Sequence, residues 1–137
     1  MPRRHSPTHV QAAIALIERR GRFLICQRRA HDVLGGYWEF PGGKREAGEP
    51  WAACVRRELR EELGVTVRFL KLLRTMRYRY PGRSMTFKVY RCTIARGRPR
   101  PFAAQTVRWV SSTQLDRYRF PPANQPLIDA LIQKNDY

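Results

Sequence analysis

Short apolar runs separated by basic or glycine-containing turns set the pattern of this 137-residue chain. Between His9 and Ile17 the run VQAAIALI is apolar and short, which predicts a buried strand. Arg19-Arg20-Gly21-Arg22 follows as a polar turn, and Phe23-Leu24-Ile25-Cys26 predicts a second strand. Residues 30 to 37 are a loop leading into Trp38-Glu39-Phe40-Pro41-Gly42-Gly43-Lys44. From Val65 to Tyr80 the chain is predicted extended, with apolar and basic residues alternating in Met76-Arg77-Tyr78-Arg79-Tyr80. Pro81-Gly82-Arg83-Ser84 marks a turn, so Met85 to Ala95 returns as the partner strand of a hairpin. A loop at residues 96 to 101 precedes a short strand, Val107 to Val110, and Ser112 is placed to cap a helical turn. Leu127, Ile128, Leu131 and Ile132 recur at helical spacing and predict a closing amphipathic helix over Asn124 to Lys134. Strands on both sides of a central helix, with a second helix at the end, indicate an α/β fold with a mixed sheet between helices.

The central helix has the clearest signals. Pro50 suits a first helical position and Gly64 the residue just past a helix end. Between them Ala52, Val55, Leu59 and Leu63 form one apolar stripe. Glu58, Glu61 and Glu62 fall within about 100° of one another on a neighbouring face. Arg57, four residues before Glu61, neutralises one edge of that cluster. Like charges at these spacings repel by a few tenths of a kcal/mol per pair, and a divalent cation would reverse the sign. Carboxylates without His or Cys suit Mg²⁺ or Mn²⁺ rather than zinc.

Composition sharpens this reading. The chain has 27 Lys plus Arg against 11 acidic residues, a formal charge of +16. Six of those acids (Glu39, Glu46, Glu49, Glu58, Glu61, Glu62) lie between positions 39 and 62. A length of 137 residues suits one domain, with residues 1 to 8 a loose basic arm. Hydrophobic content of 42% argues against disorder. No apolar run is long enough to span a membrane and no signal peptide is evident, so a cytoplasmic protein is expected. Cys26, Cys54 and Cys92 have no paired spacing and read as reduced packing residues. The positive field attracts nucleotides and, at low salt, any nucleic acid. No specific nucleic-acid partner is expected, because no arginine run or aromatic-interleaved signature stands out beyond residues 74 to 80.

Gly43, five residues, Glu49, seven residues and then Arg57-Glu58-Leu59-Arg60-Glu61-Glu62-Leu63-Gly64-Val65 match the Nudix box at every specified position. Such a match arises by chance on the order of once in a billion starts. The chain therefore resembles the Nudix hydrolases. WEFPGGK at 38–44 and FPPANQPLI at 120–128 extend the resemblance to the MutT-like members that act on oxidised deoxyguanosine triphosphate. It spans roughly residues 9 to 134.

The resemblance implies an α/β/α sandwich; a monomer or weak dimer is expected. It implies divalent ions held by the Gly42 backbone and by Glu58, Glu61 and Glu62, with Glu49 assisting and Arg57 orienting the carboxylates. Asn124 would read the base, since an amide offers both donor and acceptor; left to local signals, it is a favoured helix N-cap. Phe40, Arg28 and Arg83 would touch substrate. One departure stands out: where similar proteins carry a glutamate before the Trp strand, this chain has Ala103-Ala104-Gln105. The water would then need another base among Glu61, Glu49 and Glu46.

The expected activity is Mg²⁺-dependent pyrophosphohydrolysis of a nucleoside triphosphate to monophosphate and pyrophosphate, with 8-oxo-dGTP the first choice. Alternatives are the same chemistry on CTP or 5-methyl-dCTP, and a weakly active nucleotide or nucleic-acid binding module.

Overall fold

The computed structural model describes residues 8–133. The element order is β1 (Thr8–Arg19), β2 (Arg22–Gln27), β3 (Trp38–Glu39), β4 (Gly42–Lys44), α1 (Trp51–Leu63), β5 (Thr66–Tyr80), β6 (Arg83–Arg96), β7 (Thr106–Ser111) and α2 (Gln125–Ile132). Two 3-10 turns, Ser112–Arg117 and Pro122–Asn124, link β7 to α2. The expected strands and helices are all present, with shifted ends.

The strands form one mixed sheet in the order β3-β2-β1-β6-β5, with β4 on β1 and β7 on β2. The β1–β6 pairing is parallel from Thr8↔Arg83 to Ile17↔Cys92, and every other pairing is antiparallel. The strand β1 is the hinge of the architecture. Its length serves β6 and β4, while Glu18 and Arg19 turn through Gly21 to pair with β2.

The core lies on both faces of that sheet. On one face Val55, Leu59 and Leu63 of α1 pack on Ala13, Ala15, Ile17, Tyr90 and Cys92. On the other, Leu127, Ile128 and Leu131 of α2 pack with Leu16, Val89 and Phe40. This is the α/β/α arrangement expected. Burial of each such aliphatic side chain contributes roughly 1.5–3 kcal/mol.

Several local expectations are corrected. Pro50 is the N-cap of α1 (φ −59°, ψ 142°), one residue before the helix, because its extended ψ turns the chain in from the preceding loop. Ala52 is only half-buried and Cys54 is fully buried in its place. Gly64 closes the helix as expected at φ 71°, donating its N–H to the Arg60 carbonyl. Gly42-Gly43 open a short strand, β4. Ser111, not Ser112, precedes the 3-10 turn, and it makes no side-chain cap. Thr8 already belongs to β1. The rest of the basic arm and Lys134 lie outside the described residues. All three cysteines are unpaired and buried.

Candidate active site

The acidic face of α1 meets the sheet at β4. Gly43 has no Cβ because the space is taken: a Cβ there would lie 2.4 Å from Oε2 of Glu58. Gly42 is tied more tightly, at φ +148°, where a Cβ would lie 2.0 Å from the Ala13 carbonyl oxygen. The two glycines thus set the helix carboxylates directly on β4, itself paired to β1 through Ile14↔Gly42 and Ala13↔Gly43.

Arg57 organises the cluster. Its Nε and Nη2 donate to the two Glu49 oxygens at 2.7 and 3.0 Å. Its Nη1 donates to Glu58 at 2.9 Å and lies 3.5 Å from Glu61, and Nη2 also reaches the Lys44 carbonyl at 3.0 Å. Glu49 accepts a further bond from the Glu46 N–H at 3.0 Å. These bonds, Arg57 first and Glu46 second, hold the Glu49 carboxyl down at about 2. A carboxylate that acidic stays ionised and is a weak base. Glu49 therefore acts in this structure as the anchor that orients Arg57.

Glu62 is the opposite case. Burial, followed by a hydrogen bond with Glu58, pushes its carboxyl up to about 9. Its Oε2 is buried with no hydrogen-bond partner, and the backbone of Gly42 hydrogen-bonds the carboxylate. A buried orphan oxygen beside a second carboxylate is what a cation would satisfy. The hard-oxygen donors Glu58 and Glu62, with Gly42 alongside, fit a hard divalent ion that retains several waters. Among the described residues no three acidic, His or Cys side chains form a ready-made cage. Glu61 stands apart, 60% exposed, its only ion pair among the described residues being with Arg57. The three glutamates expected on one face are thus split into a half-buried pair and an exposed neighbour.

A cavity of about 180 Å³ opens beside β4, lined by Ile14, Glu39, Phe40, Gly43, Phe87 and Asn124. Asn124 holds the position before α2, but its backbone is helical (φ −86°, ψ −8°) and its side chain makes no cap. The 3-10 turn before it removes the extended geometry that a capping Asn needs. Asn124 borders the cavity, and among the described residues its amide makes no hydrogen bond that caps α2. Phe40 lies under the same cavity against Phe120, ring centroids 5.2 Å apart.

Two expected substrate residues stand elsewhere. Arg28 pairs with Glu39 at 3.1 Å and donates from Nε to the Val33 carbonyl at 2.7 Å, so it reaches the cavity only through Glu39. Arg83 borders a second groove on the hairpin β5–β6, although alternation with Met85 and Phe87 places its side chain on the face that carries the Asn124 cavity. Ala103 is exposed and brings no acid. Glu39 is the residue sequence reasoning passed over. It lines the cavity, burial raises its carboxyl against the opposing pull of Arg28, and its charge adds to the upward push on Glu62. Its place inside WEFPGGK was the available signal.

Known proteins match this arrangement. Residues 12–130 match the NUDIX domain family. The chain is 35% identical over 123 residues to an 8-oxo-dGTP diphosphatase of Escherichia coli K12, covering 89% of this chain and 95% of that protein. It is 31% identical to a CTP pyrophosphohydrolase of the same organism, covering 90% and 91%. A solved MutT structure, from work on Aliivibrio salmonicida and Vibrio cholerae, superimposes with a TM-score of 0.75 at 31% identity, covering 93% of this chain and 99% of that one. The solution structure of the E. coli ORF135 protein gives 0.79 at 29% identity, covering 94% and 92%. With the box carboxylates seated on β4 and the similarity running almost end to end, the chain belongs to the NUDIX domain family.

Proposed function

We propose that the protein is a Mg²⁺-dependent nucleoside triphosphate pyrophosphohydrolase whose preferred substrate is 8-oxo-dGTP. The observation that carries this reading is Asn124, free of a capping bond to α2, on the wall of a cavity that also touches Gly42, Gly43 and Glu39. A base held there has its phosphates directed to the α1 carboxylates. The amide N–H donates to the purine O6, and the amide oxygen accepts from the protonated N7 of the oxidised base. Guanine, whose N7 carries no proton, leaves that oxygen unpaired, and such mismatches discriminate strongly. Phe40 supplies an apolar wall.

The ion, when bound, supplies charge neutralisation on the diphosphate and a more acidic water. Glu58 and Glu62 would hold it, with Gly42 alongside. Arg57 fixes Glu58, and Glu49 fixes Arg57. Glu61, exposed and lightly tied, accepts the proton of the attacking water. Glu39 supplies, next to Glu62, the additional acid that Ala103 does not. The relative named CTP pyrophosphohydrolase supports a second reading, the same chemistry on a cytidine nucleotide.

Pyrophosphate release with Mg²⁺ over a panel of canonical and oxidised nucleotides tests both. The expected result is a kcat/KM for 8-oxo-dGTP at least a hundredfold above that for dGTP. Preference for CTP would replace the first reading by the second, and tight binding with no release from any nucleotide would overturn hydrolysis itself.

A further inference from the structure

The short 3-10 turn before α2, Pro122–Asn124, ends on the residue that borders the cavity. The segment leading into it is pinned to β3 and the residue after it. The Trp38 N–H donates to the Arg119 carbonyl at 2.8 Å, and Phe120 packs on Phe40. The turn itself needs a tie of its own. Within it the Asn124 N–H donates to the Pro121 carbonyl at 3.0 Å. The Ala123 carbonyl would take the next 3-10 bond from residue 126, but Pro126 has no N–H to give. The donor comes from the sheet instead. Tyr78 Oη donates to the Ala123 carbonyl at 2.8 Å, across 45 positions of sequence. Alternation along β5 puts Tyr78, with Met76, on the face of the sheet that carries α2. Its ring meets Phe87 edge-on at 5.9 Å between centroids, and Phe87 is part of the cavity wall.

We propose that Tyr78 is the positioning residue of base recognition, its hydroxyl setting where the Asn124 amide stands in the cavity, a role that rests on Asn124 being the base-reading residue. The Ala123 carbonyl and the Asn124 N–H belong to one peptide unit, and that unit is planar through to the Asn124 Cα. Tyr78 holds its oxygen and Pro121 its N–H. The plane is therefore fixed at both polar ends, and with it the root of the Asn124 side chain. Telling an oxidised guanine from an ordinary one depends on a donor and an acceptor meeting the right partners, and misalignment weakens both. Tyr78 is not among the residues that line the cavity, so it acts through Asn124. Tyr78 is half-buried and Ala123 exposed, so water can take over the carbonyl when the hydroxyl is removed. What is lost is position, not the fold.

The test is a double-mutant cycle of Tyr78→Phe and Asn124→Ala, read as the ratio of kcat/KM for 8-oxo-dGTP to that for dGTP. Tyr78→Phe keeps the ring on Phe87 and removes only the hydroxyl. It should lower that ratio about fivefold, the worth of one hydrogen bond, through a raised KM for 8-oxo-dGTP. Its kcat on both nucleotides should stay within about twofold of the parent, and its Tm within about 3 °C. In the Asn124→Ala background there is no amide to place, so adding Tyr78→Phe should move the ratio by less than about 1.5-fold. Tyr80→Phe is the control. It removes an exposed hydroxyl two residues along the same face of β5 and should leave the ratio within about 1.5-fold. If Asn124→Ala loses the preference and Tyr78→Phe keeps it, positioning is overturned while base reading stands. A loss that persists in the Asn124→Ala background, or an equal loss in Tyr80→Phe, would overturn it as a general effect on the hairpin. If Asn124→Ala keeps the parent's preference, base reading by Asn124 falls and the role of Tyr78 falls with it.

Discussion

Replacing Gly43 with alanine separates the fold from the chemistry. The new Cβ would meet Glu58 Cδ and Oε2 at 2.4 Å, about 1 Å inside ordinary contact. The obstructing group is the end of a flexible side chain, so Glu58 swings away while the backbone stays. That movement breaks the 2.9 Å bond from Arg57 and separates Glu58 from Glu62. Loss of a partly exposed ion pair costs about 0.2–1 kcal/mol, while Gly→Ala in a tolerated conformation returns about 0.4–1 kcal/mol. Net stability should therefore change by less than about 1 kcal/mol, and Tm by less than about 5 °C. Displacing a reacting-centre ligand by 1 Å costs on the order of a hundredfold in rate. Circular dichroism melting and pyrophosphate release, run on the same preparation, read the two effects. Gly42→Ala is the control of opposite sign. At φ +148°, with its Cβ 2.0 Å from a main-chain oxygen, it disrupts the β1–β4 pairing and should cost about 2 kcal/mol or more. Should Gly43→Ala melt normally and turn over within threefold of the parent, Glu58 does not serve the reaction.

Three further predictions rest on the same geometry. Asn124→Ala should reduce the preference for 8-oxo-dGTP over dGTP at least tenfold while sparing the better of the two remaining rates; a uniform loss on all nucleotides would count against base reading. Arg57→Lys should behave nearly as badly as Arg57→Ala, about a hundredfold down in kcat, because one ammonium cannot replace a fork that spans Glu49 and Glu58; full rescue by lysine would show that only charge matters. Burial pushes the Cys92 thiol up to about 12. Its folded pKa thus exceeds its unfolded value near 9, so its contribution to stability is intact below pH 9 and declines as pH rises from there toward 12. Denaturant melts at pH 8 and 10 should show a smaller pH-dependent loss for Cys92→Ala than for the parent, and an equal loss would refute the attribution.

Much of the fold was readable because local signals and tertiary contacts agreed. The stripe through Val55, Leu59 and Leu63 faces the sheet as periodicity requires, and Gly64 ends α1 in the left-handed conformation. Pro81-Gly82 does turn the hairpin. What local patterns could not show is who pairs with whom. The parallel β1–β6 ladder joins residues some 75 positions apart, and it alone places His9 beside Ser84 and aligns the groove. The site divides in the same way. The spacing of the box put Glu58, Glu61 and Glu62 on one helix face, but burial against β4 separates Glu62 from the exposed Glu61. Asn124 was ambiguous between cap and reader until the preceding 3-10 turn took away the capping geometry. Arg83 follows Phe87 and Met85 in strand alternation, so its side chain leaves the sheet on the Asn124 face even though the residue also borders the groove.

The small residues of β1 have a consequence for the two faces they separate. Ala12 and Ala13 border the Asn124 cavity, while Gln11, next along the strand, borders the groove. The two faces share a partition one strand thick, built where side chains are shortest. A longer side chain at Ala12 or Ala13, both buried, would therefore be felt on both faces of the sheet at once.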